Sequence, residues 1–203
     1  MGVRDNIRDQ NNCQAVQRFI QSSGEVIQVS EGAPLVAVLG DSYSAGDVLD
    51  DRADGWVYQL GEQAGADVRV AGVGMTGYTN GGYCGGQEFA NRVDSLLALD
   101  PNTLILQGGV NDWEADPADI QAAAADLLAK TEGVERVVMV GPTDAPQRDN
   151  LAGVDRALAA TATEHGAQYV SALGWDLEFL PDDLHLTPAG HAEYAANVAD
   201  AIR

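Results

Sequence analysis

No stretch of this 203-residue chain stays apolar for the roughly 18–20 residues that a membrane-spanning helix needs. The longest apolar runs, such as Pro34–Leu39 and Val137–Val140, have the length of buried strands. Positive charge is scarce: 11 Lys and Arg stand against 31 Asp and Glu, a formal net charge of −20. Such a chain offers no basic patch to a phosphate backbone, which excludes nucleic acid as a partner and disfavours anionic substrates. Aromatic residues make up only 6%, so the core must be built from Ala, Val, Leu and Gly. There are two cysteines, Cys13 and Cys84, with no CxxC pair and no Cys/His cluster, and no metal site is expected. They are either two free thiols or, in an exported protein, a disulfide tying the N-terminal segment to a glycine-rich loop. The N-terminus, MGVRDNIRDQNNCQ, lacks the apolar centre of a signal peptide. Export with the leader already removed is taken here over a cytoplasmic location. GxSxG and P-loop patterns are missing, and Gly72, Gly74 and Gly77, though spaced as GxGxxG, run into an irregular loop with no helical pattern directly after them, so no nucleotide or flavin cofactor is expected.

Against these absences stands a regular alternation. Five short runs rich in Val, Ile or Leu read as strands: Leu35–Leu39, Val68–Val73, Thr103–Leu106, Arg136–Val140 and Ala167–Ser171. Helical spacing falls between and after them, at Gly55–Ala64, Gln87–Leu99, Pro117–Lys130, Asn150–His165 and Pro188–Ile202. Asp116 and Thr187 are placed as N-caps, each followed by a proline at the first helical position. Strands alternating with helices predict one three-layer α/β/α domain over residues 33–203, with a five-stranded parallel sheet. Residues 1–32 are polar except for a weakly amphipathic Ala15–Ile20, and read as an arm or short helix. The segment from Gly72 to Gly86 is the one long irregular loop.

In an open parallel sheet, ligands bind beyond the carboxyl ends of the strands, so the turns there hold the candidate chemistry. Gly40-Asp41-Ser42 follows the first strand; a serine there is a nucleophile or simply a helix N-cap. Gly72-Val73-Gly74 follows the second, where glycine lets backbone approach a ligand or merely makes a turn. Gly109-Val110-Asn111-Asp112 follows the third, and Asn111 can supply an amide donor or close a turn. Asp182-Asp183-Leu184-His185 precedes the last helix. A serine hydroxyl needs a base, and the base needs an orienting carboxylate. Of three histidines, His165 and His191 lie in helical patterns and read as structural, which leaves His185.

These four blocks, GDS, Gly74, GxND and DxxH, occur in the order found in SGNH (GDSL-like) hydrolases and span nearly all of the expected domain. The resemblance implies a flavodoxin-like fold and hydrolysis of carboxylic esters without metal or cofactor. It implies Ser42 as nucleophile, His185 as general base and Asp182 as its orienting carboxylate, with Asp183 as the rival. It further implies an oxyanion hole from the Ser42 and Gly74 backbone N–H groups and the Asn111 amide, although Gly72 and Gly77 compete for the glycine's role. Asp41 and Asp112 read as turn-stabilising. Tyr43, Tyr78, Tyr83 and Trp113 are candidates to line a groove for a small-molecule or glycan ester, and a monomer is expected. Thioesterase, lysophospholipase and acyltransferase chemistry would use the same triad, and a non-catalytic binding domain would use the same fold.

Overall fold

The computed structural model describes residues 3–203. Six strands make one sheet: β1 (Ile27–Gln28), β2 (Leu35–Gly40), β3 (Asp67–Gly72), β4 (Thr103–Gln107), β5 (Arg136–Thr143) and β6 (Gln168–Ala172). Their order is β1-β3-β2-β4-β5-β6, parallel throughout except for β1, which runs antiparallel along β3. The helices are α1 (Val3–Ser23), α2 (Ser42–Ala45), α3 (Trp56–Ala64), α4 (Phe89–Arg92), α5 (Asp94–Leu97), α6 (Pro117–Lys130), α7 (Leu151–Glu164) and α8 (Pro188–Ile202).

The two-residue period of a strand divides its side chains between two cores. Val36 and Val38 of β2 join Val68, Val70, Ile105, Val138 and Val140 on one face, where α3 and α8 cover them with Trp56, Leu60, Tyr194 and Val198. Ala37 and Leu39 point the other way, with Leu104, Leu106 and Met139, and meet Phe89, Ile120, Leu127, Val154 and Leu158 from α4, α6 and α7. The result is three layers, as the alternating pattern predicts.

Three details depart from the sequence expectations. The sheet has six strands instead of five. The extra one, β1, is only two residues long and shows no apolar run; it is set by Ile27 and Gln28 pairing with Val70 and Arg69, and it covers the free edge of β3. The N-terminal segment is a 21-residue helix instead of an arm or short helix. The helix expected over Gln87–Leu99 is two short ones, α4 and α5. Val93 between them keeps helical angles, but Leu96 N–H bonds the Val93 carbonyl and tightens the path.

The last helix carries the loop before it into place. Thr187 caps α8 by accepting the Gly190 N–H at 3.1 Å, and its hydroxyl donates to Glu178 Oε2 at 2.8 Å. Thr187→Ala is expected to lower the unfolding free energy by about 1–2 kcal/mol, and Thr187→Ser to retain most of it, by urea titration. Equal stability of all three proteins would deny the cap its role.

Candidate active site

The site forms where the sheet changes direction. The chain leaves β2 for β3 on one side, while β4 pairs with β2 on the other, so the loops diverge and open a crevice between them. Ser42 is the first residue of α2, immediately past β2, and Asn111 lies just past β4.

Asp41 caps α2: its Oδ1 accepts the Tyr43 N–H at 3.0 Å and Gln107 Nε2 at 3.1 Å. Gln107 in turn accepts the Ser44 hydroxyl at 2.6 Å. A Cβ on Gly40 would collide with Ser44 Oγ and Gln107, so this turn requires glycine. Burial pushes the Asp41 carboxyl up to about 6, against the opposing pull of the Tyr43 and Gln107 hydrogen bonds. Asp112 has a parallel task. Its oxygens accept the Tyr78 N–H at 3.1 Å and the Thr79 N–H and hydroxyl, each at 2.7 Å, pinning the glycine-rich loop to the end of β4. Burial raises its carboxyl too, partly offset by those bonds. Both carboxylates are therefore spent on turns.

Asn111 is buried, and its Nδ2 donates to the Thr76 carbonyl at 3.0 Å. An amide nitrogen carries two hydrogens, so one remains for the cleft. Among the loop glycines, Gly77 spends its N–H on the Asn80 carbonyl at 2.9 Å, and Gly72 is paired with Gly40 in the sheet. Gly74 makes no backbone hydrogen bond through its N–H. It also lies close to Ser42: a Cβ there would meet Ser42 Cβ at 3.8 Å and collide with Asp47 Oδ2.

Asp182 and His185 meet directly. Asp182 Oδ2 lies 2.7 Å from His185 Nδ1, and Oδ1 accepts the backbone N–H groups of His185 (2.9 Å) and Leu184 (3.1 Å). Burial pulls this carboxyl upward, but those hydrogen bonds outweigh it and hold the group below the usual carboxylate range. Asp183 is in a left-handed conformation, φ 57°, and makes no such contact. Ser42 Oγ makes no hydrogen bond to the imidazole; the two share the wall of one cleft, together with Gly74, Asn111 and Asp182. That cleft has a volume of about 690 Å³. His191 is buried beneath α3, where its Nδ1 accepts the Trp56 N–H at 3.3 Å, a helix-end donor that Gly55 leaves uncapped. Burial and the neighbouring His185 push it down to about 4, so it stays neutral.

The aromatic groove expected from sequence is corrected. Tyr43 is only 2% exposed: consecutive helical residues diverge by about 100°, which turns it inward from Ser42. There its hydroxyl donates to the Leu184 carbonyl at 2.5 Å, steadying the loop that carries His185. Tyr78, also 2% exposed, packs on Phe89 with ring centroids 5.0 Å apart. Trp113 packs against Val110, Ala145 and Leu151, with the Arg148 guanidinium 5.4 Å above its ring. Only Tyr83 of the four lines the cleft.

One organising residue escapes sequence reasoning. Arg92 reaches under the loop from α4. It donates through Nε to the Gln87 carbonyl (3.0 Å), through Nη1 to that of Ala71 (2.9 Å), and through Nη2 to that of Gly40 (3.0 Å) and to Thr76 Oγ1 (2.9 Å). Burial pushes it down to about 10, with the Asp41 charge opposing, so it remains a cation at neutral pH. A basic residue on the apolar stripe Phe89, Val93, Leu96 of an acidic chain is the signal that could have marked it.

Residues 38–193 match the family model described as the GDSL-like Lipase/Acylhydrolase family. The chain belongs to that family. Among solved structures with the same fold, this GDSL-like protein is similar to TesA (23% identity, TM-score 0.68, covering 84% of this chain and 98% of the other). It is also similar to an aryl esterase of M. smegmatis (20%, 0.65, 84% and 99%). A carbohydrate acetylesterase from Sinorhizobium meliloti gives 15% identity and a TM-score of 0.69, over 84% and 98% of the two chains. No curated protein matches it in sequence. Among the described residues no helix is long and apolar enough to cross a membrane, and no cluster of three His, Cys, Asp or Glu is set to hold a metal ion.

The burial of Asp41 has a measurable consequence for this GDSL-like fold. Its carboxyl ionises near 3.8 when unfolded and near 6 when folded, so the unfolded chain releases that proton first. The group therefore lowers stability as pH rises from 4 to 6, and the cost persists above. Relative to wild type, Asp41→Asn is expected to gain about 2 kcal/mol between pH 4 and pH 7, any constant packing cost cancelling. A pH-independent difference in urea unfolding would contradict the buried, late-ionising carboxyl.

Proposed function

We propose that this protein is a serine esterase acting through an acyl-enzyme, with esters of short to medium acyl chains as substrates. The observation that carries the reading is the Asp182–His185 hydrogen bond, 2.7 Å long, in the wall of the cleft that Ser42 also lines. With Nδ1 held by Asp182, the nitrogen left to serve Ser42 is Nε2, the tautomer a general base requires.

Ser42 Oγ attacks the acyl carbonyl while His185 Nε2 takes its proton. The imidazolium so formed is stabilised by the ionised Asp182, whose low-lying carboxyl suits that task. Negative charge on the carbonyl oxygen is met by the N–H of Ser42, which as first residue of α2 has no partner within its helix, by the free N–H of Gly74, and by the second Asn111 amide hydrogen. Collapse of the tetrahedral intermediate expels the alkoxide, and His185 returns the proton to it. Water, activated by the same imidazole, then releases the acid and restores Ser42. The contact between Ser42 and His185 tightens when substrate enters, as such bonds commonly do.

The substrate size follows from the cleft. Its volume holds a small ester, and its walls mix apolar Val48, Val73 and Met75 with polar groups. With Tyr43, Tyr78 and Trp113 engaged elsewhere and the Phe19 ring covered by the Arg52 guanidinium, Tyr83 is the single candidate of the four left to stack on a sugar ring, so the simple ester is favoured over the glycan ester.

Kinetics on p-nitrophenyl acetate, butyrate and octanoate test this. Ser42→Ala should lower kcat/KM by ~10⁴–10⁶, Asp182→Asn by ~10²–10⁴, and Asn111→Ala should lower kcat by ~10²–10³. Wild-type turnover by Ser42→Ala would overturn the mechanism.

A further inference from the structure

Helix α1 precedes the family-matched segment and has an unusual relation to the rest of the molecule. None of its side chains from Ile7 to Ser23 is fully buried, and none of these residues joins either large core cluster. A 21-residue helix with a mean composition this polar has little reason to rest on a protein surface for packing alone.

Two attachments hold it. Cys13 is disulfide-bonded to Cys84 in the glycine-rich loop, with Cα atoms 4.9 Å apart. Phe19 lies under the Arg52 guanidinium, 4.2 Å from the ring centroid, and Arg52 is itself paired with Asp47 at 3.1 Å. Both anchors lie beside the site: Asp47 fills the space next to Gly74, and the loop from Gly77 to Gly86 is pinned by Asp112.

Arg8, Asn12, Val16, Phe19 and Ile20 line the same cleft as Ser42 and His185. Their spacing of four, four, three and one is a single helical face. That face is graded, polar toward the N-terminus and apolar from Val16 onward. Its apolar end shares the wall of the cleft with Val48, Val73 and Met75, and Ile20 and Val73 together also border a second cavity of about 570 Å³. Val48 is 58% exposed and adopts a left-handed φ of 65°, a costly conformation for a β-branched side chain. Apolar side chains in the wall of an open cleft stay in contact with water until an apolar ligand covers them.

We propose that α1, fastened by the Cys13–Cys84 disulfide, is a wall of the ester-binding cleft and sets its acyl-chain preference through Val16, Phe19 and Ile20. The inference rests on the serine esterase reading. The alcohol leaves on the His185 side, where the imidazole protonates it, and the acyl chain lies between α1 and the Val48–Val73–Met75 surface. Cutting the disulfide leaves only the Phe19–Arg52 attachment and loosens the wall, and the penalty to binding grows with the length of acyl chain that the wall would have covered.

The test compares wild type with the Cys13→Ser/Cys84→Ser double variant, and with Val16→Asn in which the disulfide is kept. Each is first labelled with a fluorophosphonate probe and then assayed on p-nitrophenyl acetate and octanoate. For both variants the expected result is unchanged labelling, KM for octanoate raised roughly 5- to 20-fold, acetate KM within about twofold, and kcat preserved. Labelled variants with the wild-type chain-length profile, a KM rise equal for both esters, or a lower octanoate KM would overturn the wall while leaving the esterase standing. Failure of wild type to take the label and to hydrolyse either ester would overturn both. Because Ile7 to Ser23 share no core with the domain, the double variant should fold; should it not, Val16→Asn decides, since the Val16 side chain is only partly buried on α1.

Discussion

The carboxyl ends of β2 and β3 leave carbonyls in a place where water does not reach easily, and a single guanidinium satisfies them. Arg92 binds the carbonyl of Gly40, two residues before Ser42, and that of Ala71, three before Gly74, and it holds the hydroxyl of Thr76. The Thr76 carbonyl in turn fixes the Asn111 amide. The groups proposed for the oxyanion hole thus come from three different loops, registered to one another through one cation. A buried charge is costly unless paired and hydrogen-bonded. Here four acceptors and the field of Asp41 meet that condition, in a chain whose net charge of −20 makes a buried cation the less expensive sign.

The rest of the site is built on the same rule, that buried polar groups must find partners. Asp41 and Asp112 look catalytic by position, yet each is consumed in holding a turn. Tyr43 does for the histidine loop what Asp112 does for the glycine-rich loop, through its bond to the Leu184 carbonyl. Asp182 accepts two backbone N–H groups as well as the imidazole, so the carboxylate that orients the ring also shapes its loop. The cleft remains where these partnerships end: at Ser42, Gly74, one hydrogen of Asn111, and the outer nitrogen of His185.

The sequence was most legible where a local rule decides. Strand runs such as Thr103–Leu106 and caps such as Asp116 and Thr187 depend on neighbours within a few residues, and the structure has them. The four blocks were readable because each sits at a strand end or before a helix, where topology gathers them. What failed depended on distant partners. Ile27–Gln28 becomes a strand only because β3 offers an edge, and Arg92 acquires its role from carbonyls up to 52 residues away. Tyr43 and Tyr78 sit beside motif residues, and nearness in sequence was mistaken for nearness to substrate; one step along the chain turned each of them into the core. Helix α1 has too weak an apolar stripe to announce its length, and its placement depends on Cys84, 71 residues on.

The central claim is that Ser42 carries the acyl group between two half-reactions. It is tested most directly by mixing the protein with p-nitrophenyl acetate, quenching with acid while the substrate is still in excess, and locating the modification by peptide mass spectrometry. The account predicts one acetyl group, on Ser42, absent from Ser42→Ala and lost with time as water completes the cycle. An acetyl group on another residue, or product release by a protein whose Ser42 is never modified, would contradict it.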